Sequence, residues 1–164
     1  MNEKQKQKLF LQKVIIESKK YIEIAAETDI THEEMSRWWN ELKEERENLA
    51  KIRQIWLRKC PTTDYWAFHN WYTQTERKCH YCGITEEEIQ KLIAENKIVT
   101  KRLTTRGRSL EIERLEPNEK YDKLQNLVYC CYWCNNAKTD EFTEDEFKPI
   151  GREIEKIWKN RLNK

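Results

Sequence analysis

The chain has no apolar run approaching the roughly 20 residues that a membrane span requires. Its polar start, Met1 to Lys8, carries no apolar signal segment. It also lacks internal repeats, low-complexity linkers and any sizeable net charge: 31 Lys and Arg stand against 29 Asp and Glu, leaving +2. The expectation is an intracellular protein whose overall electrostatics do not announce a nucleic-acid partner. In a reducing compartment its six cysteines are more naturally metal ligands or free thiols than disulfides.

What is present is charge and aromatic surface. Charged residues make up 37 % of the chain, above the roughly 25 % of ordinary globular chains. Such a chain is expected to be helix-rich, with long solvated faces. Seven Trp and seven Tyr argue against disorder, because disordered segments are poor in aromatics. A length of 164 residues suits one compact domain, or a small domain with a helical appendage.

Residues 1–60 read as a helical hairpin. Phe10, Leu11, Val14, Ile15, Ile22 and Ala25 share one broad face of a helix from about Glu3 to Ala26. Thr31 with Glu34 is a capping box opening a second helix to about Lys59. Met35, Leu42, Leu49 and Trp56 recur every seventh position there, a coiled-coil-like seam broken at Glu45. This hairpin packs on the rest of the chain or forms a homodimer or protein-partner interface. Residues 61–164 form the second part. Pro61 ends the long helix, and an aromatic helix carries Tyr65, Trp66, Phe68, Trp71 and Tyr72, which suits a core better than a base-stacking platform. Thr85 with Glu88 opens a short helix. Leu110 and Ile112 alternate with Glu111 and Glu113 as a half-buried strand would, and Leu127 to Cys130 reads as a second strand. A helix is expected over about Asn135 to Asp140. Thr143 with Glu146 caps a last turn that Pro149 interrupts, before a final helix marked by Ile150, Ile154, Ile157 and Trp158.

The most specific pattern is a pair of Cys-x-x-Cys knuckles, Cys79-His80-Tyr81-Cys82-Gly83 and Cys131-Tyr132-Trp133-Cys134-Asn135, with 49 positions from Cys82 to Cys131. Two residues between thiols let both sulfurs reach one tetrahedral ion, and Gly83 permits the tight turn that knuckles use. Four thiolates with no open position imply a structural Zn²⁺ on Cys79, Cys82, Cys131 and Cys134. A redox dithiol or an iron–sulfur cluster uses the same residue type. Cys130 adjoins Cys131, but the spacing to Cys134 favours Cys131; Cys60 reads as a free thiol.

Between and beyond the knuckles come Glu111-Ile112-Glu113-Arg114, Pro117, Asn118, Asn126-Leu127-Val128 and then Asn135-Asn136-Ala137-Lys138. This order over about Cys79 to Asp140 resembles the zinc-knuckle branch of the HNH (ββα-metal) endonucleases. The resemblance implies a mostly α fold with a small β element: the N-terminal helical hairpin plus a zinc-stapled ββα-metal module. It implies an acidic metal ligand at Glu113, a loop-bracing Asn126, a metal-site residue at Asn135 and a phosphate-facing cation at Lys138. Glu113 and Asn135 together suit one Mg²⁺ or Mn²⁺, since hard ions take oxygen ligands and keep several waters.

The departure is Arg114. The family has there the His that takes a proton from the attacking water, and an arginine, protonated at all ordinary pH, cannot do so. It binds phosphate well through its planar fork. His80 and His69 are the other bases to consider. The Lys101-Arg102-Leu103-Thr104-Thr105-Arg106-Gly107-Arg108 run carries four cations and no acid, so Lys101, Arg102, Arg106 and Arg108 join Lys138 as phosphate contacts, unless the run is simply a solvated hairpin tip. Three functions follow from the resemblance: a metal-dependent endonuclease acting on DNA, catalytically impaired by the Arg; a zinc-stabilised nucleic-acid-binding module that does not cut; or an interaction or inhibitor protein presenting Trp38, Trp39 and Trp56.

Overall fold

The computed structural model describes residues 1–99 and 106–164, which form two compact units, Met1–Thr73 and Gln74–Lys164. The fold is mostly helical with one two-stranded sheet among the described residues. No described helix is long and apolar enough to cross a membrane.

The first unit contains α1 (Glu3–Leu11), α2 (Tyr21–Glu27), α3 (His32–Glu41), α4 (Lys43–Lys59) and most of α5 (Tyr65–Gln74). Phe10, Leu11, Ile24, Ile30, Met35 and Trp38 make its core, and Leu42 and Leu49 of the heptad seam pack against it. The expected first helix is split. A π-helical stretch, Gln12–Ile16, is capped by Glu17, and Ser18 beyond it takes a φ of 57° that no helix continues. Lys20 then restarts the helix with its backbone N–H on the Glu23 carboxylate. The second helix, expected to run unbroken to about Lys59, is interrupted at Leu42, which departs from helical geometry, with ψ at 32°, between α3 and α4. Trp38 is fully buried, whereas Trp39 is partly exposed with the Arg46 guanidinium 3.7 Å from its ring centre. A stacked cation of this kind shields an indole that the core cannot reach.

In the second unit α6 (Glu86–Ala94) is followed by β1 (Glu111–Arg114), β2 (Leu127–Cys130), α7 (Tyr132–Lys138) and α8 (Glu144–Leu162). The strands are antiparallel, with Glu111 opposite Cys130 and Arg114 opposite Leu127. α7 packs on β1, and α8 packs on both α6 and α7. The order β1, β2, α7 is the ββα arrangement. Its helix begins earlier than Asn135 because the Cys131 side chain accepts from the Cys134 N–H and caps it; sulfur is not among the usual oxygen caps that a sequence reading looks for. Pro149 does not interrupt α8. It removes one backbone donor near the start of a 19-residue helix, and burial of Phe147, Gly151 and Trp158 on the same helix outweighs that loss. Gly151 is required there: a Cβ at this position would lie 2.8 Å from the Cβ and carbonyl oxygen of Tyr81 in the first knuckle.

Candidate metal centre and the adjoining acidic face

The first knuckle is shaped by its backbone. Cys79 N–H donates to the Ile84 carbonyl and Gly83 N–H to the Cys79 carbonyl, which closes the turn. Gly83 has φ +72° with open space around a would-be Cβ, so backbone conformation and not crowding demands glycine. His80 N–H donates to the Tyr129 carbonyl at 2.8 Å, tying the knuckle to β2. The second knuckle follows β2 directly, so one strand carries both pairs to the same place.

The ligand atoms of Cys79, Cys82, Cys131 and Cys134 all lie within 4.8 Å of one another, and all four residues are buried. Cys82 Sγ and Cys131 Sγ are 3.7 Å apart. A tetrahedral ion with bonds of about 2.3 Å spaces its sulfurs by about 3.8 Å, so the cage fits a zinc-sized ion. The crowding also favours charge separation among the thiols: hydrogen bonds from Cys130, Cys131, Cys134 and Cys82 hold Cys79 well below the ordinary thiol range, and pairing with Cys134 and Cys79 pushes Cys131 up. A dication relieves this competition by stabilising all four thiolates at once. Cys130 Sγ is directed to the Cys131 carbonyl at 3.5 Å and is not one of the four. Cys60 is a buried free thiol in the other unit, pushed up to about 11 by burial.

Next to the cage, β1 presents an acidic face. Successive strand residues point to opposite faces, so Glu111 and Glu113 share one. Asn135 of α7 donates its Nδ2 to Glu111 Oε2 at 2.5 Å, which shows that this face is turned toward α7. Glu113 is only 6 % exposed, so the strand is covered at its centre on both faces and is not half-solvated as its alternation suggests. Glu113 lies near two phenols. Burial pushes Tyr81 and Tyr121 up, and the Glu113 charge works in the same direction on each. The carboxylate seen to accept from the Asn135 amide is that of Glu111.

The cations occupy distinct settings. Arg114 donates from Nη1 to the Glu119 carbonyl at 2.9 Å and from Nη2 to Asp140 Oδ1 at 2.6 Å, and its guanidinium lies 4.7 Å from the Tyr121 ring centre. Arg106 is exposed and grips Glu111, with Nε on Oε1 at 2.7 Å, while stacking 4.9 Å from the Tyr132 ring centre. Arg108 is exposed, and its carbonyl accepts from the Gln90 side chain. Lys138 is fully buried, and its Nζ has no hydrogen-bond partner among the described residues. Lys101 and Arg102 lie outside the described residues.

Asn126 is buried at the head of β2. Its Oδ1 accepts from Glu116 N–H at 2.9 Å, its Nδ2 donates to the Glu116 carbonyl, and its own carbonyl accepts from Leu115 N–H. One side chain thereby fixes both ends of the loop between the strands. His80 Nε2 lies 2.8 Å from Glu144 Oε1 at the start of α8. Burial raises Glu144, but bonds with His80 and Lys148 outweigh it and hold this carboxyl below its ordinary value. His69 belongs to the first unit, beside Tyr65 and Trp66, and burial lowers its pKa. Glu111 was missed as a site residue in the sequence, although the same alternation that marks Glu113 places it on the same face. Asp140 carried no sequence signal, because its partner Arg114 is 26 positions away.

No protein-family model matches the chain, and no curated protein matches it. Among solved structures, the chain is similar to the rare-cutting HNH restriction endonuclease PacI, reported for its mechanism of DNA perturbation. The two share 25 % identity, with 75 % of this chain and 78 % of that chain covered and a TM-score of 0.49.

Proposed function

We propose that this chain is an HNH-like, metal-dependent endonuclease acting on DNA phosphodiesters, with a structural Zn²⁺ on Cys79, Cys82, Cys131 and Cys134 holding the ββα unit together. The observation that carries the reading is the facing of β1 and α7 immediately beyond the cysteine cage, with Glu113 and Asn135 on the two facing elements. Their donor atoms, a carboxylate and an amide carbonyl, are the hard oxygens that Mg²⁺ or Mn²⁺ prefers. Such an ion supplies charge neutralisation at the scissile phosphate and the leaving oxygen. Asn126 keeps the loop after β1 in place, so that Glu113 and Arg114 are presented at a fixed strand end. Arg106, Arg108 and the rest of the basic run neutralise phosphates along the backbone.

Arg114 serves charge and position here, not proton transfer. Its guanidinium, held by Asp140 and the Glu119 carbonyl, leaves the water's proton to another acceptor. That same commitment favours a second reading, a zinc-stabilised module that binds nucleic acid without cutting it. Cleavage of plasmid DNA in Mg²⁺ or Mn²⁺, with Glu113→Ala as control, tests the first reading. Salt-dependent binding without cleavage, unchanged by Glu113→Gln, identifies the second.

A further inference from the structure

An asparagine amide has two ends, and a hard cation accepts only one of them. If the NH₂ end of Asn135 turned toward the ion, the site would present a donor where it needs an acceptor. Which end faces outward is therefore decided by what the other end touches. Here it touches Glu111, an acceptor-only group when ionised, at 2.5 Å from Nδ2. Only the NH₂ end can make that bond, so the Glu111 contact turns Asn135 Oδ1 away from Glu111.

Glu111 is itself fixed. Arg106 grips its two oxygens through Nε and Nη2, and the guanidinium is backed by the Tyr132 ring, one residue beyond Cys131. The result is a chain of contacts from the second knuckle through Tyr132, Arg106 and Glu111 to Asn135. We propose that Glu111 is a positioning residue, which orients the Asn135 amide so that its carbonyl oxygen is available to a divalent cation, with Arg106 bracing it. This rests on the reading above that Asn135 ligates the ion. Partners of this outer kind typically change metal affinity by about 10–100-fold when removed.

The experiment is Mn²⁺ binding to the full-length, zinc-loaded protein, followed by the electron paramagnetic resonance signal of free Mn²⁺. Glu111→Ala is expected to weaken Mn²⁺ binding by about 10–100-fold. Glu111→Gln, which keeps a carbonyl to accept from Asn135, stays much closer to wild type. Combined with Asn135→Ala, Glu111→Ala costs nothing further, because its effect runs through Asn135. Glu111→Met, similar in length but without an acceptor, repeats the alanine result if the alanine variant does not fold. An equal loss in both backgrounds would overturn the proposal by making Glu111 a direct ligand or a purely structural group. Wild-type affinity in Glu111→Ala, with binding still abolished by Glu113→Ala, overturns the positioning role and leaves the metal site standing. Absence of Mn²⁺ binding in the wild type overturns both.

Discussion

Cys82 Sγ and Cys131 Sγ lie 3.7 Å apart although 49 positions separate them in the chain. All four knuckle sulfurs lie within 4.8 Å of one another, and a buried set of thiols at this spacing is stable as a unit when a cation holds it. The protein is expected to contain one zinc per chain. Its removal by a chelator at neutral pH should lower the melting temperature of the second unit sharply, as read by circular dichroism and differential scanning calorimetry. Unchanged melting after verified zinc loss would remove the ion from the folding argument.

The adjacent thiols Cys130 and Cys131 should behave differently. Cys131 belongs to the cage and also caps α7 through its sulfur, whereas Cys130 points to a carbonyl. Cys131→Ser should lose zinc and Cys130→Ser should keep it, by metal analysis of the purified proteins. The opposite pattern would assign the ligand to Cys130.

Two glycines should resist substitution for different reasons. Gly83→Ala forces a side chain into a left-handed conformation and should cost about 1–2 kcal/mol. Gly151→Ala drives a methyl against the Tyr81 backbone and should cost about 1–3 kcal/mol, through overpacking. Denaturant melts of the zinc-loaded variants measure both.

Much of this architecture was legible because its determinants are local. The capping boxes at Thr31, Thr85 and Thr143 each start a helix where the sequence places them. Cysteine spacing is similarly short-range. What escaped the sequence was set by tertiary contacts or by uncommon local chemistry. Ser18 adopts a positive φ without the glycine that usually signals one, Pro149 is tolerated because of what its helix buries, and a sulfur caps α7. At the acidic face, alternation marked the strand but did not say which carboxylate α7 would meet. Pairings such as Arg114 with Asp140 and His80 with Glu144 depend on the completed fold.

Acid should weaken the first unit over a defined range. Bonds from Lys13 and Lys19 hold Glu27 down at about 2, against an ordinary value of 4.5. A depressed carboxyl gives its stabilisation above the ordinary value and loses it as pH falls through the depressed one. Stability should therefore decline between about pH 4.5 and pH 2, and Glu27→Gln should flatten this segment of a stability-against-pH curve. The exposed setting makes the effect modest. An identical slope in the variant would place the acid sensitivity elsewhere.

Arg114→His introduces a titratable group at the end of β1, next to Glu113, where the proposed reaction needs a proton acceptor. A positioned base contributes about 10²–10⁴-fold, so the variant should cleave plasmid at least about a hundredfold faster than the wild type in Mg²⁺. The same change releases Asp140 and the Glu119 carbonyl, so the comparison needs matched zinc content. No gain in rate would mean that proton transfer does not limit this site.

Zinc-loaded protein incubated with plasmid DNA in Mg²⁺ or Mn²⁺, beside a Glu113→Ala variant of equal zinc content, decides whether the site at the end of β1 is a nuclease centre. Metal-dependent strand cleavage by the wild type and none by the variant is the expected result. Cleavage that persists in Glu113→Ala, or no cleavage by the wild type in either metal, would contradict it.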